Sequence, residues 1–474
     1  MKRYKELFKN ISILTISNFG SKLLCFFLVP LYTAVLTTEE YGSFDLVSVT
    51  TSLLVPLLTI CIYEGALRFL LDDSKSKKDV CSISLKIVIL SLIFFFAIVL
   101  INYIFDFVGI LNDYLIYFIF SYIVTIFYQY TSNVVRGLNK IGVLAIGGIV
   151  NSAIMLVFNI LFLLVFKWGI GGYFIANIVA NTISVIYMAI HSKLYKNISL
   201  ENNDKTLEKE MINYSAPLMM NSVGWWINSA SDRYVVTYLC GTDANGIYSV
   251  AYKIPSILSV FQSIFNQAWG ISAVKEFDEK DSEGYFSKAY KTYNILMVFT
   301  CSFLILFTQL LAKFLYMKEF YNAWVYVPFL ALSVVFGALS GFLGGVFSAV
   351  KESKILGKTT ILGAFVNLTL NIILVLFLGP IGAAISTAVS YILVWGIRVK
   401  CARKYIKLHV NFIRDIVAYC LMIFQCIAFF ALGGQLYVYI IEMLLVSILF
   451  CLYFKEIKST LLSIFKNRRK EHET

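Results

Sequence analysis

A chain of 474 residues that is 59% hydrophobic and only 14% charged lies well below the roughly 25% charged residues of an ordinary soluble domain. Apolar runs of about 18 or more residues recur along nearly its whole length, each long enough to cross a bilayer as a helix. The net charge of +12 is distributed in a way that assigns it to membrane topology rather than to nucleic acid.

The stretch 84–104 is apolar on both faces, which rules out the alternating strands of a membrane barrel and leaves helices to satisfy the backbone in lipid. The expected fold class is therefore an all-α integral membrane protein. In chain order the predicted spans cover 11–36, 44–70, 83–104, 114–135, 143–166, 170–190, 213–240, 244–273, 292–316, 325–349, 358–378, 380–399, 412–432 and 434–454, about fourteen in all. Residues 1–10 are basic and amphipathic and lead into the first span without a small-residue cleavage pattern, so no removable signal peptide is expected. Turn chemistry marks the close connections, as at Gly379-Pro380 and Gly433-Gly434. Nine cysteines without a CxxC pair, and His191, His409 and His472 in loops or tail, predict no disulfide framework, no metal centre and no cofactor.

Counting the N-terminal tail and every second connection, 32 of the 40 Lys and Arg residues fall on one side, the largest inner connection holding six from Arg398 to Arg414. The intervening segments hold three, Lys167, Lys313 and Lys318. Positive charge stays inside, so an even number of spans is expected, with both termini in the cytoplasm. The longest connection, around 191–212, has about twenty residues and faces inward. No outer loop is large enough for a folded catalytic domain, so the chain is not expected to be an enzyme.

A repeat is legible in the sequence. A shift of 204 residues lays Gly20 on Gly224 and Gly42 on Gly246, and the turn 37–44 on the turn 241–248. A shift of 212 lays Asn159 on Asn371, and one of 210 lays 169–172 on 379–382. Such internal symmetry is a signature of secondary transporters. It predicts a lobe of six helices over 1–195, a parallel second lobe over 210–405, and two further helices with a basic tail over 408–474.

An ionisable residue at membrane depth costs about 2.5–3.5 kcal/mol and usually faces a bundle interior or a wet cavity. Five cations fall within predicted spans: Lys22, Arg68, Lys86, Arg233 and Lys253. Arg68 follows Glu64 by one turn at the end of span 2, in the order that favours an i,i+4 pair; the two read either as a structural pair or as the inner mouth of a cavity. Lys86, at the start of span 3, reads as snorkelling to the interface, for which Lys22 is too deep. Arg233 and Lys253 each stand ten residues from Asp243, which sets both about 15 Å below the outer hairpin between spans 7 and 8. Asp232 beside Arg233 leaves two readings, a lock between helices or partial neutralisation of a cavity lined by Lys22, Arg233 and Lys253. Neither Lys22 nor Lys253 has a carboxylate nearby in sequence, so an anionic substrate is their expected partner. Trp225 and Trp226 in span 7 and Trp269 in span 8 lie near Asn221, Asn228, Gln262, Asn266 and Gln267. Aromatic faces with amides suit sugar rings, although helix packing uses the same residue types.

The runs Ser-Ala-Ser-Asp-Arg-Tyr-Val-Val at 229–236 and Asn-Gly-Ile-Tyr-Ser-Val-Ala-Tyr-Lys-Ile at 245–254, with Thr-Glu-Glu-Tyr-Gly at 38–42, Arg-Gly-Leu-Asn-Lys at 136–140 and the glycine-rich turns before spans 6 and 12, carry a resemblance. Along essentially its full length the chain resembles the polysaccharide transporters, or Wzx-like flippases, of the multidrug/oligosaccharidyl-lipid/polysaccharide exporter superfamily. The resemblance implies two lobes working by alternating access. It also implies a substrate, an oligosaccharide on undecaprenyl diphosphate, flipped from the inner to the outer leaflet of a bacterial plasma membrane for capsule, O-antigen or another surface polymer. Cationic residues would then meet the diphosphate, a role that Lys22, Arg233 and Lys253 fit by position. A polymerase and assembly proteins would be further partners, and nucleic acid would not. The competing readings are a drug/cation antiporter of the same superfamily, a membrane polymerase and a non-transporting scaffold.

Overall fold

The structure, a computed structural model, describes residues 26–72, 74–199, 204–350, 352–433 and 435–472. Every regular element among them is helical, and eleven helices are long and apolar enough to cross a membrane. These coincide with predicted spans 2–6 and 9–14. The three missing from the set are informative. Span 1 lies mostly outside the described residues, with only its end visible as α1 (Val29–Val35). Span 7 is a helix of 36 residues, but a polar one, and span 8 is broken in two.

The chain divides into two compact units, Met1–Val250 with Leu315–Phe320 and Asn371–Pro380, and Ala251–Phe314 with Tyr321–Leu370 and Ile381–Thr474. The first unit therefore contains all of span 7 and the start of span 8, up to Val250. Its main helices are α2 (Thr38–Leu58), α3 (Ile62–Leu70), α4 (Lys77–Phe105), α5 (Leu115–Gly137), α6 (Ile141–Asn159), α7 (Gly169–His191), α8 (Lys205–Cys240) and α9 (Thr242–Ala251).

Helix α2 starts at a capping box, in which the Glu40 amide donates to the Thr37 hydroxyl at 3.1 Å and the Thr37 amide to the Glu40 carboxylate at 2.9 Å. That satisfies two of the backbone donors a helix start leaves over. Span 2 then breaks inside the membrane. Pro56 interrupts the ladder, and Ile60 and Cys61 take left-handed backbone angles, with φ of 52° and 51°, before α3 begins. A β-branched residue there stores about 1–3 kcal/mol of strain. Irregular backbone at this depth is tolerated only where protein covers it, and Cys61 and Ile62 are fully buried, with the Cys61 thiol 3.6 Å from the Ser222 hydroxyl of α8. At the start of α8, Lys75 and Lys86 form ion pairs with Glu210 and Glu208 at 2.6 and 3.0 Å. Lys86, expected to snorkel, is thus anchored to a helix neighbour. Asp204 caps α8 through the amides of Thr206 and Leu207, both at 3.0 Å.

The second unit contains α10 (Ser256–Lys275), α11 (Tyr285–Leu306), α12 (Val327–Ala349), the part of α13 (Ser353–Leu378) up to Leu370, α14 (Pro380–Ala402) from Ile381, α15 (Phe412–Leu432) and α16 (Leu436–His472). The apolar window of α12 is 78% buried, against 28% for that of α4, so α12 is an internal helix of its unit and α4 leaves most of its surface to lipid. Arg398, counted with an inner connection in the sequence, is buried inside α14. It donates to the Ser340 carbonyl and to the Thr359 and Thr360 hydroxyls, all at 3.0 Å. The last two spans pack on α11 through polar side chains. Ser302 donates to Gln425 and Gln425 to Glu442, both at 2.8 Å, while Tyr453 donates to Asp415 at 2.9 Å and Asn294 to Tyr453 at 3.1 Å.

Candidate functional site

In the first unit α2 and α9 cross at two glycines. A methyl group added to Gly42 would run into the backbone oxygen of Thr242, and one added to Gly246 into that of Thr38. Only glycine allows two backbones to approach this closely. Hydrogen bonds tie the crossing on both sides: Thr38 donates to Asp243 at 2.7 Å and the Asn245 amide to the Gly42 carbonyl at 3.1 Å. The hydrogen-bonded pairs are those that the 204-residue shift lays over one another, to within one position.

One turn further into α2 stands an ionic cluster. Asp45 forms an ion pair with the Arg233 Nε at 3.0 Å and accepts the Ser249 hydroxyl at 2.6 Å. Arg233 also pairs with Asp232 at 3.0 Å and donates to the Ser229 carbonyl at 2.8 Å. The other Asp232 oxygen accepts the Tyr248 hydroxyl at 2.7 Å. Asp232 is 2% exposed and the Asp45 side chain 21%. One cation therefore sits between two carboxylates, one fixed on its own helix and one on α2. Below it, Trp226 donates its indole N–H to the Val49 carbonyl at 2.9 Å and the hydroxyls of Tyr234 and Thr50 are in contact.

The sequence-derived residues are distributed as follows. Asp232 and Arg233 are joined in the cluster just described. Lys253 lies in the break of span 8 between α9 and α10 and belongs to the second unit. Lys22 lies outside the described residues. Glu64 and Arg68 share α3, with Glu64 half-buried and Arg68 exposed, but no ion pair joins them. Trp225 is exposed on α8, while Trp226 is half-buried and committed to Val49. Asn266 lies on α10 next to Gly341 of α12, where a Cβ would come 3.5 Å from its amide nitrogen. Trp269 donates to the Phe342 carbonyl at 2.9 Å and stacks on that ring at 4.2 Å, so it is a packing residue of the second unit. Among the described residues no group of His, Cys, Asp and Glu side chains could hold a metal ion.

Sequence reasoning missed Asp45. It tallied every cation within the spans but, of the carboxylates there, weighed only Glu64 and Asp232, although an acid near the start of span 2 is as conspicuous as Arg233. The 204-residue shift also lays Asp45 on Ser249, its hydrogen-bond partner.

The sequence profile of a family described as polysaccharide biosynthesis proteins matches residues 7–270. A probable low-salt glycan biosynthesis flippase, Agl15 of Haloferax volcanii, is 22% identical over 188 residues, so the chain spans about 39% of that relative's length with 39% of its own. Among solved structures, the inward closed conformation of the lipid II flippase MurJ matches with a TM-score of 0.69 and 15% identity over 95% of this chain and 99% of that one. An inward-facing multidrug resistance MATE family transporter of the MOP superfamily matches with a TM-score of 0.68 and 14% identity over 81% and 94%. The fold is thus that of these transporters. The profile match covers more than half of the sequence, and the chain belongs to the polysaccharide biosynthesis protein family.

Proposed function

From that membership we propose that the chain is a flippase that moves an oligosaccharide repeat unit, carried on undecaprenyl diphosphate, from the inner to the outer leaflet of a bacterial plasma membrane, with both termini in the cytoplasm. The observation that carries the reading is the Asp45–Arg233–Asp232 cluster at the glycine crossing of α2 and α9. It is a charged contact inside membrane spans, held across helices by reversible bonds. In the proposed cycle this contact breaks and re-forms as access alternates. Arg233 released from Asp45 becomes a cation at membrane depth, suited to the diphosphate. Lys22 and Lys253 are the further cations assigned to this task, with Trp225, Trp226 and Asn266 as sugar-facing residues. The expected lobes, 1–195 and 210–405 with 408–474 appended, are the moving bodies. Glu64 and Arg68 stand at the inner mouth.

The test is twofold. Deletion of the gene should cause a lipid-linked oligosaccharide to accumulate, identified by mass spectrometry. The wild-type chain should relieve the accumulation, and the triple variant Lys22→Ala, Arg233→Ala, Lys253→Ala should not, at equal amounts in the membrane. Relief by the triple variant would end the cation assignment.

One observation favours a second reading. Glu64 is a half-buried carboxylate in span 2 with no ion pair among the described residues, the kind of group a drug/cation antiporter uses. Under that reading Glu64→Gln abolishes drug resistance conferred by overexpression. Under the flippase reading overexpression confers none.

A further inference from the structure

Polar side chains within membrane spans are expensive unless they find partners or water. In the second unit many of them find partners in neighbouring helices. Asn367, for instance, donates to Thr387 and Ser390 at 3.2 and 3.1 Å. The first unit contains a cleft where polar side chains of the same types stay open. It lies between α2, α5 and α7, holds about 130 Å³, and is lined by ten residues, of which seven bear a hydroxyl or an amide and none is ionisable. Each helix contributes a pair of polar residues one turn apart: Ser48 and Ser52 from α2, Ser121 and Thr125 from α5, Asn177 and Asn181 from α7. Spacing of i,i+4 aims both members of a pair the same way, so three helices aim neutral polar groups into one space.

Three of the seven polar side chains keep their hydroxyls open, and the other four are partly engaged. Thr51 donates to the Val47 carbonyl at 2.9 Å. Ser52 donates to the Val49 carbonyl at 2.7 Å, and the Asn177 amide to Tyr173 at 2.9 Å. Asn181 accepts from Asn151 at 2.8 Å through its carbonyl oxygen, which leaves its NH₂ group available. The hydroxyls of Ser48, Ser121 and Thr125 have no hydrogen-bond partner among the described residues. Phe44, one turn before Ser48, adds an aromatic wall and is itself held by stacking on Tyr173 at 3.8 Å.

We propose that this cleft seats an uncharged sugar unit of the transported glycan. Donors and acceptors that are neutral, closely spaced and flanked by an aromatic ring match the alternating hydroxyls and apolar face of a pyranose. The space is on the scale of one ring. An ion would have no countercharge in the lining, and an apolar drug would leave most of the lining unpaired. The inference rests on the flippase reading and sharpens it: recognition divides between cations for the diphosphate and a separate neutral cleft for sugar.

The experiment uses two probes with the purified full-length chain. One is the oligosaccharide released by mild acid from the lipid-linked intermediate that accumulates in the deletion strain, and the other is inorganic diphosphate. Asn177→Leu combined with Asn181→Leu should weaken oligosaccharide binding about tenfold or more, since each lost hydrogen bond is worth a factor of about five. Diphosphate binding should not change. Thr125→Val, nearly isosteric and safe for folding, should weaken oligosaccharide binding several-fold, and Thr125→Ser should restore it. Wild-type oligosaccharide affinity in the Asn and Thr125→Val variants would overturn the cleft assignment and leave the flippase reading standing. So would a wild-type chain that transports but binds no released oligosaccharide. Failure of any lipid-linked oligosaccharide to accumulate on deletion would remove the flippase reading, and the cleft assignment with it.

Discussion

The two compact units offer a contrast in where polar groups stand. In the second, Arg398 is closed in by neutral oxygens from α12 and α13, and Glu442, Gln425 and Ser302 form a seam between α11, α15 and α16 in which all three are fully buried. In the first, charges meet at a crossing where Asp45 is still partly exposed, and a set of hydroxyls and amides lines an open cleft. Equal solvation costs thus have two solutions. Enclosed polar groups hold helices together, and groups left beside open space are available to a ligand or a moving partner.

That contrast can be broken. The largest effect is expected at the crossing: Gly42→Val or Gly246→Val forces the α2 and α9 backbones apart and should reduce transport by more than tenfold, read by complementation at matched membrane levels. Full complementation would mean that the close approach has no role in the cycle. Next, Arg398→Leu should lower stability by about 3 kcal/mol, because the hydrogen bonds of a buried charged group disappear. A detergent thermal-melt series reads this, and transport per folded molecule should stay near wild type; a transport defect without a stability loss would make Arg398 functional and erase the distinction between the units. Asp45→Asn and Arg233→Gln, alone and together, should show a coupling of about 1–3 kcal/mol in stability together with a transport defect, whereas additive effects would remove the Asp45–Arg233 ion pair from the cycle. Trp226→Phe removes one hydrogen bond to Val49 and should cost about 1 kcal/mol.

The smallest effect concerns the Lys75–Glu210 pair outside the spans. The hydrogen bond to Glu210 raises the Lys75 amine above its ordinary value of 10.5. Whatever stability the pair adds is full below pH 10.5 and is lost as pH rises through the raised value. At so exposed a site the melting temperature near pH 8 should not respond measurably to Lys75→Ala. A clear drop would show that the base of α8 is held there.

Much of this was legible in the residues. Helix class follows from runs such as 84–104, and eleven of the predicted spans appear as long apolar helices. Spans 7 and 8 depart from that pattern because they carry Asp232, Arg233, Lys253 and the Pro255 break instead of continuous apolar surface. The strained break at Ile60 and Cys61 was not legible. Only Pro56 hinted at it, and a proline in a membrane helix more often kinks than divides. Arg398 was misread as a loop residue because charge at a span end normally snorkels, whereas here neighbouring helices supply oxygens first.

The sequence by itself determined the helical class, the alternation of basic loops and the family, because hydropathy and charge act on each segment separately. It also contained the 204-residue correspondence that carries Gly42 onto Gly246. Only the tertiary structure decided that those two glycines touch, that Arg233 is shared between Asp232 and Asp45, and that seven serine, threonine and asparagine side chains converge on one cleft. The physical reason is that partners here are chosen across helices far apart in the chain, by packing distances of a few ångström that composition and periodicity do not encode.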